Sequence, residues 1–286
     1  MLLLPFKIVS ISLILWVFLT TIVPQATTKF NCIKLTNKYY PYDSISENSL
    51  NNSIIYYIIS HPDDEVMFFS PSIIELSKPQ YNNRLKLVCL SKGNSIEEMG
   101  PIRESELIKS AEILGFDVSD VSIFDFKDGM NESWSHVDIY KTLDSVVIDD
   151  SKDKVIITFD EFGVSNHPNH ISTHFGVLKY CQQNNIKLFN LKSLNFLEKY
   201  SFTLLTNIEL FINNCLKLVL SYLNFNINIS FNNSSNSIKY YSDLNMLSLS
   251  YASMMFGHFS QMVWFRYGWL FLSRYLTYNN LIEVEI

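Results

Sequence analysis

The alternation of apolar and polar positions predicts short strands separated by helices in the middle of the chain. Four apolar, β-branched segments of strand length, bounded by Gly, Asp, Asn or Ser, cover residues 54–59, 85–90, 121–126 and 155–159. Three segments of helical character lie between them, at 70–78, 101–114 and 137–148. Strands that alternate with helices are typical of a parallel sheet. We therefore expect an α/β fold with a Rossmann-like, mainly parallel sheet flanked by helices.

The N-terminal apolar segment is long enough to cross a bilayer. Residues 2–23 are mostly apolar and carry a single charge, on Lys7, which matches the roughly 20 residues that a spanning helix needs. A cleaved signal peptide is the alternative, but Pro24 would then stand before the cleavage point, where a small residue is preferred. We expect an uncleaved membrane anchor helix at 1–26, a polar linker at 27–53 and a catalytic domain at 54–286.

Lysines beyond the apolar segment predict the side of the membrane on which the domain lies. Lys29, Lys34 and Lys38 follow the segment, whereas only Lys7 and the amino terminus precede it. Because basic residues concentrate on the cytosolic side of a span, we expect the catalytic domain to face the cytosol.

Composition and charge exclude several classes of protein. Apolar residues make up 48% of the chain, enough for a sizeable core, so a disordered or fibrous protein is excluded. The net charge is −6 and no basic stripe is present, which argues against a nucleic acid as partner. The four cysteines are far apart and form no CxxC pair, so free thiols are expected instead of a zinc ribbon or a disulfide framework.

A histidine and three carboxylates follow the first predicted strand directly. His61, Asp63, Asp64 and Glu65 lie within five residues. Adjacent carboxylates repel one another, so a cation or protons would stabilise the cluster. The alternative is that these acids cap the N-terminus of the next helix.

A second cluster follows the fourth predicted strand and contains His167, His170 and His174. A single histidine is more often a hydrogen-bonded structural residue, but four of the six histidines lie in these two loops, at the strand ends where α/β sheets bind ligands. Imidazole and carboxylate groups suit a divalent metal, Zn²⁺ above all, and a hydrolytic site leaves one position for water. His61, Asp64 and His170 could form such a ligand set.

Several motifs, in order along the chain, resemble the PIG-L family of GlcNAc-phosphatidylinositol de-N-acetylases, which is related to the bacterial LmbE-like zinc deacetylases. They are His61-Pro62-Asp63-Asp64-Glu65, Lys92-Gly93-Asn94, Arg103-Glu104, Thr158-Phe159-Asp160, Gly163-Val164-Ser165, His167-Pro168-Asn169-His170, and His258 with Ser260-Gln261-Met262-Val263-Trp264-Phe265-Arg266. The last of these motifs resembles the eukaryotic, lipid-linked branch of the family.

The resemblance implies an LmbE-like domain at 54–286 that removes the acetyl group from GlcNAc-phosphatidylinositol, the second step of GPI-anchor biosynthesis. It makes His61, Asp64 and His170 the ligands of a divalent metal, expected to be Zn²⁺ by family precedent. It makes Asp63 the general base and His167 a group that stabilises charge on the substrate. The residues expected to bind the substrate are Arg103, Asn94 and His258.

The resemblance also implies a lipid substrate and a single-pass protein of the endoplasmic reticulum membrane. Arg103 has an alternative role, an ion pair with Glu106 on a solvated helix. The aromatic residues at 259–278 suit either a lipid headgroup boundary or a core helix. Two other functions stay open, namely deacetylation of a soluble GlcNAc conjugate and a catalytically inactive subunit of a membrane complex.

Overall fold

Seven strands form one mixed sheet at the centre of the protein, in a computed structural model that describes residues 3–22, 50–95, 97–147, 153–212 and 236–286. In chain order the strands are β1 Ser53–Ile59, β2 Arg84–Cys89, β3 Val121–Ile123, β4 Asp153–Phe159, β5 Lys187–Leu191, β6 Ser237–Tyr241 and β7 Tyr278–Val284. Their spatial order is β3-β2-β1-β4-β5-β7-β6. Strands β1 to β5 pair in parallel, whereas β7 is antiparallel to both β5 and β6. The predicted parallel α/β sheet is therefore confirmed, with an antiparallel pair added at one side.

Helices cover both faces of this sheet. In chain order they are α1 Leu3–Val17, α2 Asp64–Phe68, α3 Ser70–Leu76, α4 Gly100–Leu114, α5 His136–Val146, α6 Gly163–Asn166, α7 Pro168–Asn184, α8 Phe196–Lys199, α9 Leu244–Ala252 and α10 Trp264–Leu272. Residues 204–212 are also helical.

Strand β1 is the most central element, and all seven of its residues are buried. Ile55 and Tyr57 pack into the core layer on the side of α3, whereas Ile54 and Tyr56 pack into the layer that contains Val177 of α7. A parallel strand covered on both faces needs apolar side chains at successive positions, which explains the unbroken apolar run in the sequence.

The observed elements agree with most of the predicted ones. Strands β1, β2 and β4 lie within two residues of their predicted bounds, and helices α3, α4 and α5 occupy the three predicted helical segments. Strand β3 ends at Ile123 instead of residue 126 because its partner β2 ends at Cys89. The backbone still follows β2 beyond that point, since the Phe126 N–H donates to the Leu90 carbonyl at 2.9 Å.

The N-terminal helix α1 packs against the domain along one side. Trp16 is fully buried, and the Asn207 side-chain amide donates to the Ser12 carbonyl at 2.7 Å. The other side of the helix is open, with Ile14 70% exposed. Within the described parts of the chain, no helix has the length and apolarity that a bilayer crossing requires. The predicted spanning helix at 1–26 is therefore not supported.

Some predictions fall on residues outside the described parts of the chain. The linker predicted at 27–53 is described only from residue 50 onward, and Cys32 and Cys215 are not described. The other two cysteines, Cys89 and Cys181, are free and buried, as expected.

The aromatic C-terminal segment is not one continuous helix. A π-helical turn at Ser253–Gly257 extends α9, the chain then turns again, and α10 follows at Trp264–Leu272. Trp264 is 85% exposed and Tyr275 only 1%. The segment thus contributes both a surface helix and core residues, and contact of its exposed part with a lipid headgroup stays a prediction.

Candidate active site

The loop between β1 and α2 places His61, Asp63 and Asp64 at the carboxyl end of the central strand. Asp63 occupies the N-cap position of α2 with a φ of 119°, a backbone conformation that residues other than glycine rarely adopt. Its side chain makes no capping hydrogen bond, so helix capping is not what its carboxylate does. The Asp64 carboxylate instead accepts the N–H groups of Ser60 and His61, at 3.1 and 2.8 Å, and is fixed inside the loop.

The loop between β4 and α7 brings two histidines to the same place, because β4 lies beside β1 in the sheet. His167 is the N-cap residue of α7, and its Nδ1 accepts the Asn169 N–H at 3.2 Å. The His170 Nδ1–H donates to the Gly163 carbonyl at 3.0 Å, so the lone pair of its Nε2 is free to bind a metal. Gly163, with a φ of 55°, lets the chain turn tightly enough to present that carbonyl.

Donor groups of three residues in these loops form a compact triangle, with Asp64 contributing a different oxygen toward each histidine. The His170 Nε2 lies 3.3 Å from the His61 Nδ1 and 3.3 Å from the Asp64 Oδ1, and the His61 Nδ1 lies 3.6 Å from the Asp64 Oδ2. Tetrahedral zinc bonds of about 2.0–2.1 Å separate ligand atoms by roughly 3.3–3.4 Å. The spacing of His61, Asp64 and His170 therefore fits a divalent zinc-like ion.

A different set, His61, His167 and His170, also places ligand atoms within 4.8 Å of one another. We favour Asp64 over His167 as the third ligand for two reasons. Its Oδ1 lies 3.3 Å from the His170 Nε2 and its Oδ2 lies 3.6 Å from the His61 Nδ1, spacings that suit a shared ion. The His167 Nδ1 already accepts a backbone N–H, which leaves the proton of a neutral ring on Nε2, so that atom is a donor and not a ligand.

Groups outside the triangle orient the His61 ring. Its Nε2 lies 3.1 Å from the Asp128 Oδ1 and 3.0 Å from the Asn169 Oδ1, so Nδ1 is directed toward Asp64. Metal-binding histidines commonly donate their second N–H to a carboxylate in this way. Burial alone would lower the pKa of His61, but the hydrogen bonds and charges of Asp128 and Asp64 outweigh it and raise the pKa to about 10. The surroundings thus favour positive charge at this position.

His167 differs from His61 in its electrostatics. Burial, followed by the nearby charges of His61 and His170, lowers the pKa of His167 to about 4. The ring is therefore neutral at pH 7 and carries a donor Nε2–H. It is less buried than the three ligand candidates, at the open side of the cluster. A neutral donor here can stabilise an oxyanion on a bound substrate.

Two arginines flank the carboxylate of Asp63, which is 4% exposed. The Arg266 guanidinium of α10 donates to the Asp63 Oδ2 at 2.8 Å, and the Arg103 Nη2 lies 3.7 Å from the same oxygen. The surface helix α10 therefore reaches the reacting centre.

The three residues predicted to bind substrate have three different environments in the structure. Arg103 is buried, and its guanidinium donates to the carbonyls of Gly93 and Pro62 at 3.1 and 2.6 Å. It is not paired with Glu106, which instead accepts from Ser260.

Asn94 lies beside the site and supports the loop that carries Asp128, because its side-chain oxygen accepts the Asp128 N–H at 3.2 Å. His258 is 0% exposed and bonded to Glu65, so direct contact with a substrate does not fit its position and that prediction is corrected here.

Sequence reasoning did not single out Asp128 and Arg266 as site residues. Asp128 follows the third predicted strand at the same edge of the sheet as the two histidine loops, and that position was the available signal. Arg266 lies within a motif that already carried the resemblance, but nothing in its spacing linked it to Asp63.

Comparison with known proteins shows the family to which the chain belongs. The model of the PIG-L family, described as GlcNAc-PI de-N-acetylase, matches residues 56–181. A probable N-acetylglucosaminyl-phosphatidylinositol de-N-acetylase of Schizosaccharomyces pombe is 34% identical over 244 residues, covering 84% of this chain and 90% of the relative. The N-acetylglucosaminyl-phosphatidylinositol de-N-acetylase of Saccharomyces cerevisiae is 31% identical over 298 residues, covering 96% and 93%.

Solved structures share the fold at low sequence identity. The N,N′-diacetylchitobiose deacetylase from Pyrococcus horikoshii is 16% identical with a TM-score of 0.50, covering 87% of this chain and 95% of that one. A deacetylase of teicoplanin biosynthesis is 12% identical with a TM-score of 0.51, covering 82% and 99%. The family is decided by the sequence relatives, which match over most of both chains: this chain belongs to the PIG-L family of GlcNAc-PI de-N-acetylases.

Proposed function

We propose that this protein hydrolyses the N-acetyl group of N-acetylglucosaminyl-phosphatidylinositol, giving glucosaminyl-phosphatidylinositol and acetate in the second step of GPI-anchor biosynthesis. The observation that carries the proposal is the meeting of His61, Asp64 and His170 with Asp63 and His167 at the ends of two adjacent parallel strands. The substrate is the one named for the family relatives.

His61, Asp64 and His170 are the residues that would hold the divalent ion. Two imidazole nitrogens and one carboxylate oxygen suit zinc, and they leave a coordination position for water, as a hydrolytic site requires. A bound ion supplies Lewis acidity at this point. The orientation of both rings by Asp128, Asn169 and the Gly163 carbonyl prepares the donor atoms for that ion.

Asp63 and His167 move the proton and stabilise the charge. Water adds its oxygen to the acetyl carbonyl carbon, and Asp63 takes one proton from that water. The neutral His167 donates its Nε2–H to the oxyanion that forms. Asp63 then gives the proton to the glucosamine nitrogen as the C–N bond breaks, so that acetic acid and a free amine result, and the acid loses its remaining proton to water to become acetate.

The direct test measures acetate and glucosaminyl product from GlcNAc-phosphatidylinositol in mixed micelles, with wild-type protein before and after chelation and zinc addition. The Asp63→Asn variant is the matched control. A water-soluble GlcNAc conjugate is assayed in parallel. Release from the soluble conjugate alone would favour the alternative deacetylase, and metal-free protein without activity on either substrate would favour an inactive subunit.

The second part of the proposal is association with the cytosolic face of the endoplasmic reticulum membrane. It rests on the lysines that follow residue 23 and on the exposed aromatic side chains of α10, where Trp264 and Phe265 are 85% and 54% exposed. Because the structure does not support a spanning helix, the proposal concerns the location of the domain and leaves the mode of attachment open.

Glycosylation at Asn131 provides a test of orientation. Asn131 begins an Asn-Glu-Ser sequence and is exposed, so an oligosaccharyltransferase in the lumen could reach it. We expect the protein from eukaryotic cells to show no mobility shift on glycosidase treatment. A shift that Asn131→Gln abolishes would place the domain in the lumen.

A further inference from the structure

A buried histidine–carboxylate pair lies directly behind the loop of Asp63. His258 and Glu65 are both 0% exposed, and the His258 Nε2 lies 2.5 Å from the Glu65 Oε1. The charge and hydrogen bond of Glu65 outweigh burial and raise the pKa of His258. The two residues are 193 positions apart in the sequence, so the pair joins the C-terminal segment to the catalytic loop.

Glu65 transmits this contact to the backbone of Asp63. Its Oε2 accepts the Asp63 N–H at 3.1 Å, while its Oε1 is shared by His258 and the Ser110 hydroxyl. Ser110 in turn shares a 2.6 Å hydrogen bond with Ser253, in the π-helical turn that precedes His258. Both carboxylate oxygens of Glu65 are therefore held by buried donors, and one of those donors is the peptide of Asp63.

The backbone of Asp63 needs such support. A non-glycine residue in a disfavoured conformation costs on the order of 1–3 kcal/mol and persists only where its surroundings fix it. Asp63 has a φ of 119°, and this conformation directs its carboxylate between Arg103 and Arg266. If position 258 no longer donated a hydrogen bond, the buried carboxylate of Glu65 would lose one of its partners. We expect that carboxylate then to shift, and its hydrogen bond to the Asp63 N–H to break.

We propose that His258 is a positioning residue for hydrolysis: through Glu65 it fixes the Asp63 peptide, and thereby the direction in which the general base presents its carboxylate. The inference rests on the proposed function, because it assigns Asp63 the role of base. It replaces the expectation that His258 contacts the substrate.

Two amide substitutions of similar size separate this role from general stability. The glutamine amide nitrogen can occupy the place of the His258 Nε2, which is the atom bonded to Glu65, whereas the asparagine amide nitrogen can occupy only the place of Nδ1, which has no hydrogen-bond partner among the described residues. His174→Asn is the matched control, because His174 is also buried but donates from its Nδ1 to the Phe159 carbonyl, a place that the asparagine amide nitrogen can occupy.

The experiment measures kcat, KM, bound metal and melting temperature on the same samples of full-length protein. We expect His258→Asn to lose kcat by roughly 10²-fold, the scale of a displacement of about 1 Å, with metal content and KM near those of the wild type. The kcat of His258→Gln should be at least about tenfold higher than that of His258→Asn, and His174→Asn should keep kcat within about twofold of the wild type. Equal kcat values for the Asn and Gln variants, or a loss of kcat that follows lost metal, would overturn the proposal.

Two further measurements test the positioning role independently. They are needed if the His258 variants fold poorly or if the assigned substrate proves to be wrong. Glu65→Gln keeps the shape of the side chain but turns one accepting oxygen into a donor, so kcat should fall at least about tenfold with metal retained, and an unchanged kcat would refute the proposal. A crystal structure of His258→Asn should show Asp63 outside its left-handed conformation. That result does not depend on activity, and an unchanged Asp63 would contradict the positioning role even if the wild type proved inactive on GlcNAc-phosphatidylinositol.

Discussion

Three aspartates meet at the candidate site, and replacing each by asparagine should give three different results. The substitution keeps the size of the side chain and removes only its charge and one accepting oxygen. Asp64 is a proposed metal ligand, Asp63 is the proposed base, and Asp128 is bonded to the outer nitrogen of His61. Because the chemical change is the same in all three variants, differences between them report position within the site.

The distances give an order for the effects on metal binding. Asp64→Asn removes the only carboxylate in the triangle, whose donor atoms lie 3.3–3.6 Å apart. Metal affinity should therefore fall by more than the roughly 10–100-fold that is lost when a residue hydrogen-bonded to a ligand is replaced. Its remaining oxygen can still accept the Ser60 N–H, so the loop should stay folded. Asp128→Asn should weaken metal binding by roughly 10–100-fold, and saturating metal should restore its turnover.

The effect on turnover should follow a different order. Asp63→Asn should retain the metal but lose roughly 10²–10⁴-fold in kcat, or about 3–5 kcal/mol of barrier, the usual contribution of a general base. Metal titrations and acetate release measured on the same samples would show both effects. The reasoning is refuted if Asp63→Asn is purified without metal, or if Asp64→Asn binds metal as tightly as Asp128→Asn.

Three other outcomes follow from the same structure. His167→Ala should keep the metal and lose roughly 10²–10³-fold in kcat, measured by acetate release. Gly93→Ala would place a Cβ 2.2 Å from the Arg103 Nη1 at a φ of +70°, so urea unfolding should show a loss of about 1–3 kcal/mol, whereas Gly268→Ala, with no atom within 4 Å, should be neutral or stabilising. Burial lowers the pKa of His174, so the unfolded chain takes up a proton that the folded protein excludes. Stability should therefore fall as the pH drops below about 6.5, by up to about 1.4 kcal/mol per pH unit, and less steeply in His174→Gln.

The central strands and the two histidine loops were predictable from sequence because their signal is local. Strand β1 is buried on both faces and therefore reads as an unbroken apolar run. Once β1 and β4 are parallel neighbours, His61 and His170 must lie at the same edge of the sheet although they are 109 positions apart. The parallel pairing of β1 with β4 thus brings the two short motifs together in one site.

The antiparallel strands were not predictable, because tertiary contacts compensate for their polar residues. Strand β7 contains Asn279, which is fully buried and donates to the Phe68 carbonyl at 2.8 Å while accepting the Ser72 N–H at 3.1 Å. An asparagine inside a strand reads as a turn signal when these distant partners are unknown.

The burial of His258 and the packing of the N-terminal helix against the domain were not predictable for a related reason. Hydropathy reports that a side chain avoids water, but it does not tell whether lipid or protein covers it. Trp16 is covered by the domain itself, although its helix reads as a membrane span. The motif around His258 likewise indicates that the residue lies near the site, but it does not indicate whether the side chain is buried or exposed.

The order in which the site is synthesised follows from the distance between its parts along the chain. The three proposed metal ligands have all been synthesised once the ribosome has added His170. Arg266, which holds the carboxylate of Asp63, is 203 positions away from it, and strand β7 must still insert between β5 and β6. A growing polypeptide therefore contains the proposed ligands early, whereas the arginine that contacts the proposed base is added only when translation is nearly finished. We therefore expect hydrolysis only after the last segment has folded back onto the first loop.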